Sequence, residues 1–209
     1  MELSQGDFRE ALMRRVSQES YEKLRAARVG IAGLGGLGSH IAVSLARCGI
    51  GSLHLVDFDR VDMSNLNRQH YFISHLGRFK TEALADQLWQ INPSLKLTCD
   101  NVVVTAGNAT DIFAHDPLVC EAFDRPESKA LLVNVLLEHD ARVRVVASSG
   151  MAGTGPANDI RTRRLGSRLY ICGDEMSAVA DDEPLFAPRV ALCAGHQAQQ
   201  IIRLVLEEE

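Results

Sequence analysis

Residues 28–38 read Arg-Val-Gly-Ile-Ala-Gly-Leu-Gly-Gly-Leu-Gly, an apolar run followed at once by the pattern Gly-x-Gly-Gly-x-Gly. The apolar run predicts a buried strand, and the stretch after the glycines predicts a helix. Glycines let the backbone turn tightly and approach a ligand closely, while the free N–H groups and the dipole at a helix N-terminus favour a phosphate anion. The sequence therefore predicts that a nucleotide binds at this turn.

A second predicted strand, 52–57, ends in Asp57. This acid lies about 20 residues beyond the glycines, where a carboxylate accepts a hydrogen bond from a ribose hydroxyl in dinucleotide-binding folds. Taken without their surroundings, the glycine turn and Asp57 would indicate NAD or FAD. The residues around them decide between a redox cofactor and another nucleotide.

Composition restricts the class of protein. The 209 residues are 46% hydrophobic and 23% charged, which suits one α/β domain over 1–209. A net charge of -5 and the lack of a long Lys/Arg run give no support for a nucleic-acid partner. The polar, acidic N-terminus and the absence of an apolar stretch of ~18 residues predict no membrane span and a cytoplasmic protein. Five cysteines without a Cys-x-x-Cys pair predict neither a disulfide framework nor a zinc site.

Strand and helix patterns alternate along the chain. An amphipathic helix at 7–26, within an N-terminal arm over 1–27, precedes the first strand. The alternation predicts an α/β, Rossmann-like, doubly wound fold with a mostly parallel sheet. The predicted strands are 28–32, 52–57, 95–104, 117–122 and 142–148, with a strand-like piece at 168–172, and the predicted helices are 37–48, 79–91, 126–139 and 188–206.

Amides and cations follow Asp57. The stretch 57–69 is Asp-Phe-Asp-Arg-Val-Asp-Met-Ser-Asn-Leu-Asn-Arg-Gln, and Lys80 lies at the start of the next predicted helix, 79–91. Attack at an α-phosphate builds negative charge on that phosphorus and on the departing pyrophosphate, so preorganised donors and a magnesium ion lower the barrier. Hydride transfer needs few such groups. Asp124, after a strand ending at the same sheet edge, is a candidate magnesium ligand, although an Asp before Pro126 also suits a helix cap.

These motifs resemble those of the ThiF/MoeB/HesA superfamily, bacterial relatives of ubiquitin-activating enzymes. The resemblance covers nearly the whole chain and is strongest to short ThiF-like proteins that adenylate the sulfur carrier ThiS in thiamine biosynthesis. It implies ATP- and Mg²⁺-dependent adenylation of the C-terminal Gly-Gly carboxylate of a small ubiquitin-like carrier, by a homodimer. A molybdopterin-type carrier, or a small acceptor such as a modified tRNA base, stays open as the substrate.

The resemblance also implies roles for individual residues. Asp57 would bind ribose, Asp124 would hold magnesium, and an arginine near the N-terminus, Arg14 or Arg15, would reach into the partner's site. The residues implied to contact the nucleotide phosphates are Gly33, Gly35, Gly36, Gly38, Asn65, Arg68 and Lys80.

Larger family members carry two Cys-x-x-Cys zinc pairs and a reactive cysteine, and this sequence lacks the zinc pairs. Cys172 is either a nucleophile or an ordinary cysteine at a strand end, and the lack of a flanking cation or histidine favours the second interpretation. Cys193 fits a helix core. Two further hypotheses stay open beside adenylation: an NAD- or FAD-dependent oxidoreductase, and a nucleotide-binding partner protein without catalysis.

Overall fold

The computed structural model describes residues 5–177 and 184–208. These residues form a seven-stranded sheet with helices on both faces, in the strand order β3-β2-β1-β4-β5-β7-β6. The strands are β1 (Arg28–Ala32), β2 (Ser52–Val56), β3 (Lys96–Asp100), β4 (Leu118–Glu121), β5 (Arg144–Ser148), β6 (Arg161–Leu165) and β7 (Leu169–Gly173). All neighbouring strands are parallel except β6 and β7. The predicted doubly wound, mostly parallel sheet is confirmed.

The helices are α1 (Gln5–Met13), α2 (Gln18–Ala26), α3 (Gly36–Cys48), α4 (Lys80–Ile91), α5 (Ala109–Ile112), α6 (Pro126–His139) and α7 (Ala187–Leu206). One apolar core includes buried residues of α3, α4 and α7, and α3 packs along α7. A second core includes buried residues of α5 and α6. No helix in the described part of the chain is long and apolar enough to cross a membrane.

Strand order reverses between β1 and β4. The chain proceeds from β1 outward through β2 to β3, then returns to pair β4 with the other side of β1. Open α/β sheets bind ligands at such a reversal, outside the carboxyl ends of the strands. The glycine turn follows β1 at this edge, so the topology agrees with the predicted nucleotide position.

Several elements differ from the sequence prediction. The helix predicted over 7–26 is two helices, because Ser17 starts α2 by accepting a hydrogen bond from the Ser20 N–H at 3.1 Å. The strand predicted over 95–104 ends at Asp100. Strand β6 was not predicted, since its sequence Arg-Thr-Arg-Arg-Leu lacks an apolar alternation and its place comes from antiparallel pairing with β7.

A charged network lies inside the first half of the sheet. His54 on β2 is buried, with its Nδ1 2.6 Å from an Asp116 oxygen and its Nε2 2.9 Å from an Asp100 oxygen. Arg28 Nε donates to the other Asp116 oxygen at 2.6 Å. Burial alone lowers the pKa of His54, but the Asp116 and Asp100 carboxylates outweigh it and raise that pKa above its usual value. The imidazole thus favours its charged form, held between two acids.

Candidate nucleotide-binding site

The glycine turn connects β1 to α3. Gly33 has a φ of +91°, and a methyl group at Gly38 would overlap the Gly33 carbonyl oxygen. At Gly36 an added Cβ would lie 2.9 Å from Val190 Cγ1 on α7. Gly35 is the N-cap of α3 and offers no side-chain cap, so the first N–H groups of this helix lack a side-chain acceptor. The turn therefore combines close packing with donors suited to an anion.

Asp57 ties the end of β2 to this turn. Its side chain is buried, with one oxygen accepting from the Leu34 N–H at 2.6 Å and the other from the Asp59 N–H at 2.7 Å. Burial raises the pKa of Asp57, while Lys80 and the two N–H groups oppose that rise. Since a carboxylate offers about four acceptor positions, Asp57 keeps capacity for a hydroxyl of a bound ligand.

Lys80 lies next to the segment Asp57-Phe58-Asp59. It is the first residue of α4 and only 5% exposed, and its Nζ is 2.7 Å from an Asp59 oxygen and 4.0 Å from an Asp57 oxygen. A cation at a helix N-terminus opposes the helix dipole, and these two carboxylates offset that repulsion. The ammonium group has three N–H donors, so it can donate to both acids and to a phosphate oxygen.

Asn65 and Arg68, the amide and the cation predicted to contact the phosphates, make different contacts. Asn65 Oδ1 accepts from the Asp62 N–H at 3.1 Å and closes a local turn, so this side chain shapes the loop. Arg68 lies over the glycine turn, with its Cγ 3.7 Å from the position of a Cβ at Gly36. Its guanidinium donates to the Ser64 carbonyl at 3.2 Å. The Arg68 Cγ thus lies against the glycine turn while its guanidinium also donates to Asn67 Oδ1 in its own loop, and Asn65 uses its Oδ1 within that loop.

Gln69 is a site residue that the sequence did not single out. Its Nε2 is 3.7 Å from the position of a Cβ at Gly35, and its Oε1 is buried without a partner among the described residues. Buried polar atoms are rarely left unsatisfied, and a bound ligand or water is a common reason. In the sequence, only its position next to Arg68 in the polar stretch 57–69 could have indicated that Gln69 belongs to the site.

Asp124 follows β4 at the same edge of the sheet. Its side chain is exposed and has no hydrogen-bond partner within the described residues. The N-cap of α6 is Arg125, without a side-chain bond, so Asp124 does not cap the helix here. The backbone of this turn is close to the glycine turn, since a Cβ at Gly33 would lie 2.8 Å from the Ala122 carbonyl.

A buried ion pair supports the Asp124 turn. Glu121 is fully buried and accepts from the Phe123 N–H at 2.7 Å and from Lys129 Nζ at 3.1 Å. Lys129 also donates to Ser148 Oγ at 2.7 Å, which joins β5 to the same group. Burial raises the pKa of Glu121, against the lowering effect of Lys129. These contacts fix the backbone that presents Asp124.

Metal-ligating side chains are sparse. Over 5–177 and 184–208 no three His, Cys, Asp or Glu side chains converge on a common position. A single carboxylate still suits magnesium, which is usually held by one or two carboxylates together with phosphates and water. Asp124, unpaired among those residues and next to the glycine turn, fits that donor set.

Cys172, considered as a nucleophile, and Cys193, expected in a helix core, are both buried. Burial raises the pKa of Cys172 to about 11, although a bond from Thr162 opposes this rise, and it raises the pKa of Cys193 to about 12. Both are therefore protonated thiols near neutral pH, and a thiol is a poor nucleophile. The geometry favours the interpretation of Cys172 as a strand cysteine.

Arg14 and Arg15 are far from the glycine turn of their own chain. They follow α1, and Leu12 of that helix meets Gly49 at the C-terminal end of α3, with Leu12 Cδ1 2.8 Å from the position of a Gly49 Cβ. The thirteen residues of α3 separate that end from the turn, a length of about 20 Å. The structure does not bring either arginine to the site within one chain.

A sequence profile described as the ThiF family matches residues 8–209. This chain belongs to the ThiF family. The ThiF-family chain is 38% identical over 105 residues to ubiquitin-like modifier-activating enzyme 5 of Caenorhabditis elegans, covering 50% of this chain and 25% of that protein. It is 32% identical over 138 residues to the enzyme of that name from Arabidopsis thaliana, covering 65% and 32%. The ThiF-family chain thus spans a quarter to a third of these relatives.

Solved structures share the fold of this ThiF-family chain. Escherichia coli tRNA N6-threonylcarbamoyladenosine dehydratase, TcdA, in complex with ATP, has a TM-score of 0.87 at 20% identity, covering 100% of this chain and 98% of that one. Escherichia coli MccB with ATP has a TM-score of 0.67 at 21% identity, covering 91% and 59%. These similarities establish the fold, and the family match confirms the resemblance inferred from the motifs.

Proposed function

We propose that this chain is an ATP-dependent adenylyltransferase that activates the C-terminal glycine carboxylate of a small ubiquitin-like sulfur carrier of the ThiS type, for thiamine biosynthesis. One observation carries the proposal: two cations lie beside a glycine turn whose helix N–H groups have no side-chain cap, Arg68 with its Cγ against Gly36 and Lys80 with its ammonium near Asp57, which accepts from the Leu34 N–H of the turn. A redox nucleotide keeps its phosphates intact and needs no such cations, whereas nucleotidyl transfer develops charge that they stabilise.

Each residue then has a distinct task. The N–H groups at the start of α3 bind phosphate oxygens, and Asp57 accepts a ribose hydroxyl while keeping its bonds to the turn. Arg68 and Lys80 donate to the oxygens on which charge develops as pyrophosphate departs. Asp124 would hold magnesium, which supplies further positive charge at the phosphates. The carrier carboxylate attacks the α-phosphorus, and the products are an acyl adenylate and pyrophosphate.

Assembly belongs to the same proposal. We propose a single domain over 1–209, with a helical arm at 1–27, that works as a cytoplasmic homodimer. Because α3 separates Arg14 and Arg15 from their own glycine turn, the proposal gives either of these two arginines a role only in the partner's site. The relatives named as activating enzymes of a ubiquitin-like modifier favour a small protein as the acceptor.

Pyrophosphate exchange tests this function. The protein, Mg²⁺, ATP and labelled pyrophosphate are incubated with a ThiS-type carrier, and label should enter ATP only when the carrier ends in Gly-Gly. The matched control is the same carrier without its last glycine. A molybdopterin-type carrier and tRNA that carries its natural base modifications run in parallel, and exchange with either one alone would replace the ThiS assignment. Absence of exchange with every acceptor, or reduction of NAD with a small substrate, would refute the adenylyltransferase.

A further inference from the structure

His40 connects the helix of the glycine turn to the loop that carries Arg68. It is on α3, one turn beyond the start of the helix, and its Nε2 is 3.3 Å from the Arg68 carbonyl oxygen. A carbonyl only accepts, so Nε2 is the protonated nitrogen in this contact. The imidazole thereby holds the main chain of Arg68 against the helix whose first N–H groups face the site.

A second histidine supports the first. The His70 ring meets the His40 ring edge-on, with the centroids 4.4 Å apart and the planes at 73°. The backbone N–H of His70 donates to Ser39 Oγ at 3.1 Å, and the Ser39 hydroxyl donates to the Gly35 carbonyl at 2.6 Å. On the far side Gln87 donates to the His70 carbonyl at 2.6 Å. The Arg68 loop is therefore fastened to the glycine turn through adjacent residues of α3.

Both rings favour the neutral form. Burial lowers the pKa of His40, and burial together with the nearby His40 and Arg47 lowers the pKa of His70. A neutral ring donates one N–H without adding a charge beside Arg68. Under the proposed function the cation offered to the phosphates is the guanidinium, which donates to the Ser64 carbonyl and to Asn67 Oδ1, and the imidazole acts only on its position.

We infer that His40 is a positioning residue that fixes Arg68 relative to the glycine turn, so that the guanidinium and the helix N–H groups bind one phosphate chain together. The inference rests on the proposed function, because it gives Arg68 a nucleotide phosphate as its ligand. It adds a residue that the adenylation motifs do not contain. Its effect is confined to phosphates, because His40 contacts neither the ribose acid Asp57 nor Lys80 among the described residues.

Binding of two ligands tests the inference without an acceptor. The dissociation constants of Mg-ATP and of adenosine are measured by calorimetry for the unaltered protein, His40→Phe and His40→Gln. Phenylalanine keeps a ring against His70 but has no donor, and glutamine restores an N–H. We expect His40→Phe to weaken Mg-ATP binding about 3–10-fold, the scale of one hydrogen bond, and to leave adenosine within about twofold.

Ser44→Ala is the matched control. Ser44 lies one turn further along α3 and donates to the His40 carbonyl at 2.8 Å, so its loss perturbs the same helix without touching Arg68. This variant should bind both ligands as the unaltered protein does, and His40→Gln should recover most of the ATP affinity. Equal weakening of both ligands in His40→Phe, unchanged ATP binding, or failure of His40→Gln to recover would overturn the inference. His40→Leu replaces His40→Phe if thermal melting shows the latter unfolded.

The proposed function fails in a different way. If the unaltered protein binds neither Mg-ATP nor adenosine, the adenylyltransferase assignment is wrong whatever the variants do. If the unaltered protein binds Mg-ATP and His40→Phe binds it equally well, only the role of His40 is wrong.

Discussion

Replacing Lys80 by methionine should damage both catalysis and stability. Lys80 is 5% exposed and lies 2.7 Å from an Asp59 oxygen, with the buried Asp57 4.0 Å away. Methionine keeps the apolar stem but removes the charge, which leaves the Asp57 carboxylate without its cation. The loss of one preorganised donor to a developing charge typically costs roughly 10²–10³-fold in rate.

The stability loss follows from the unequal exposure of the two acids. Breaking a fully buried ion pair costs about 3–5 kcal/mol because an uncompensated charge stays buried. Asp59 is nearly half exposed and water replaces part of its partner, while Asp57 keeps two N–H donors. We therefore expect a smaller loss, about 1–3 kcal/mol, which corresponds to a Tm decrease of roughly 2–12 °C for a chain of this size.

Urea unfolding, thermal melting and pyrophosphate exchange measure the two effects separately. Arg78→Met is the control, because Arg78 pairs with Asp86 at 2.7 Å with both side chains partly exposed, 39% and 46%, and solvent-exposed pairs contribute about 1 kcal/mol or less. A Lys80→Met protein as stable as Arg78→Met, or one that retains exchange within threefold, would refute the reasoning from burial and charge.

Three other predictions concern assembly, magnesium and pH. Mixing an Arg14→Ala/Arg15→Ala chain with a Lys80→Ala chain should restore part of the exchange lost in both parents, and a mixture as inactive as its parents despite subunit exchange would place these arginines outside the site. Asp124→Ala should alter the Mg²⁺ dependence of exchange without lowering the Tm, since no capping bond is lost; a lower Tm with normal exchange would make it a structural residue. Because its folded pKa is raised, the charged form of His54 contributes stability that is complete below the unfolded pKa of about 6.5 and is lost as pH rises through the folded value. The stability difference between the unaltered protein and His54→Gln, from urea unfolding, should therefore shrink on going from pH 6 to higher pH, and a constant or growing difference would contradict the raised pKa.

Local sequence predicted the parts of the site that follow from neighbouring residues. The strand, glycine turn and helix at 28–48 occur together because apolar periodicity and glycine spacing act over a few residues. The place of Asp57 directly after β2 follows for the same reason, as does the place of Lys80 at the start of the next helix. Parallel strand order then places Asp124 on the same edge. These elements needed no knowledge of distant contacts.

Contacts between distant residues could not be predicted. The pairing of Lys80 with Asp59 depends on how a loop of some twenty residues folds back, and the orphaned oxygen of Gln69 depends on packing against the glycine turn. Strand β6 is rich in arginine and forms only because β7 supplies its hydrogen bonds. The break between α1 and α2 did leave a signal, since Ser17 is a favoured N-cap residue.

The Asp57 carboxylate and the Leu34 N–H join the end of β2 to the glycine turn. Both groups belong to the protein, so this link needs no ligand to form. Opening this region requires breaking a buried, charge-assisted hydrogen bond, so the Leu34 amide should exchange its hydrogen with solvent slowly. A nucleotide therefore meets a turn that needs no ordering step, and its association should follow a single fast phase.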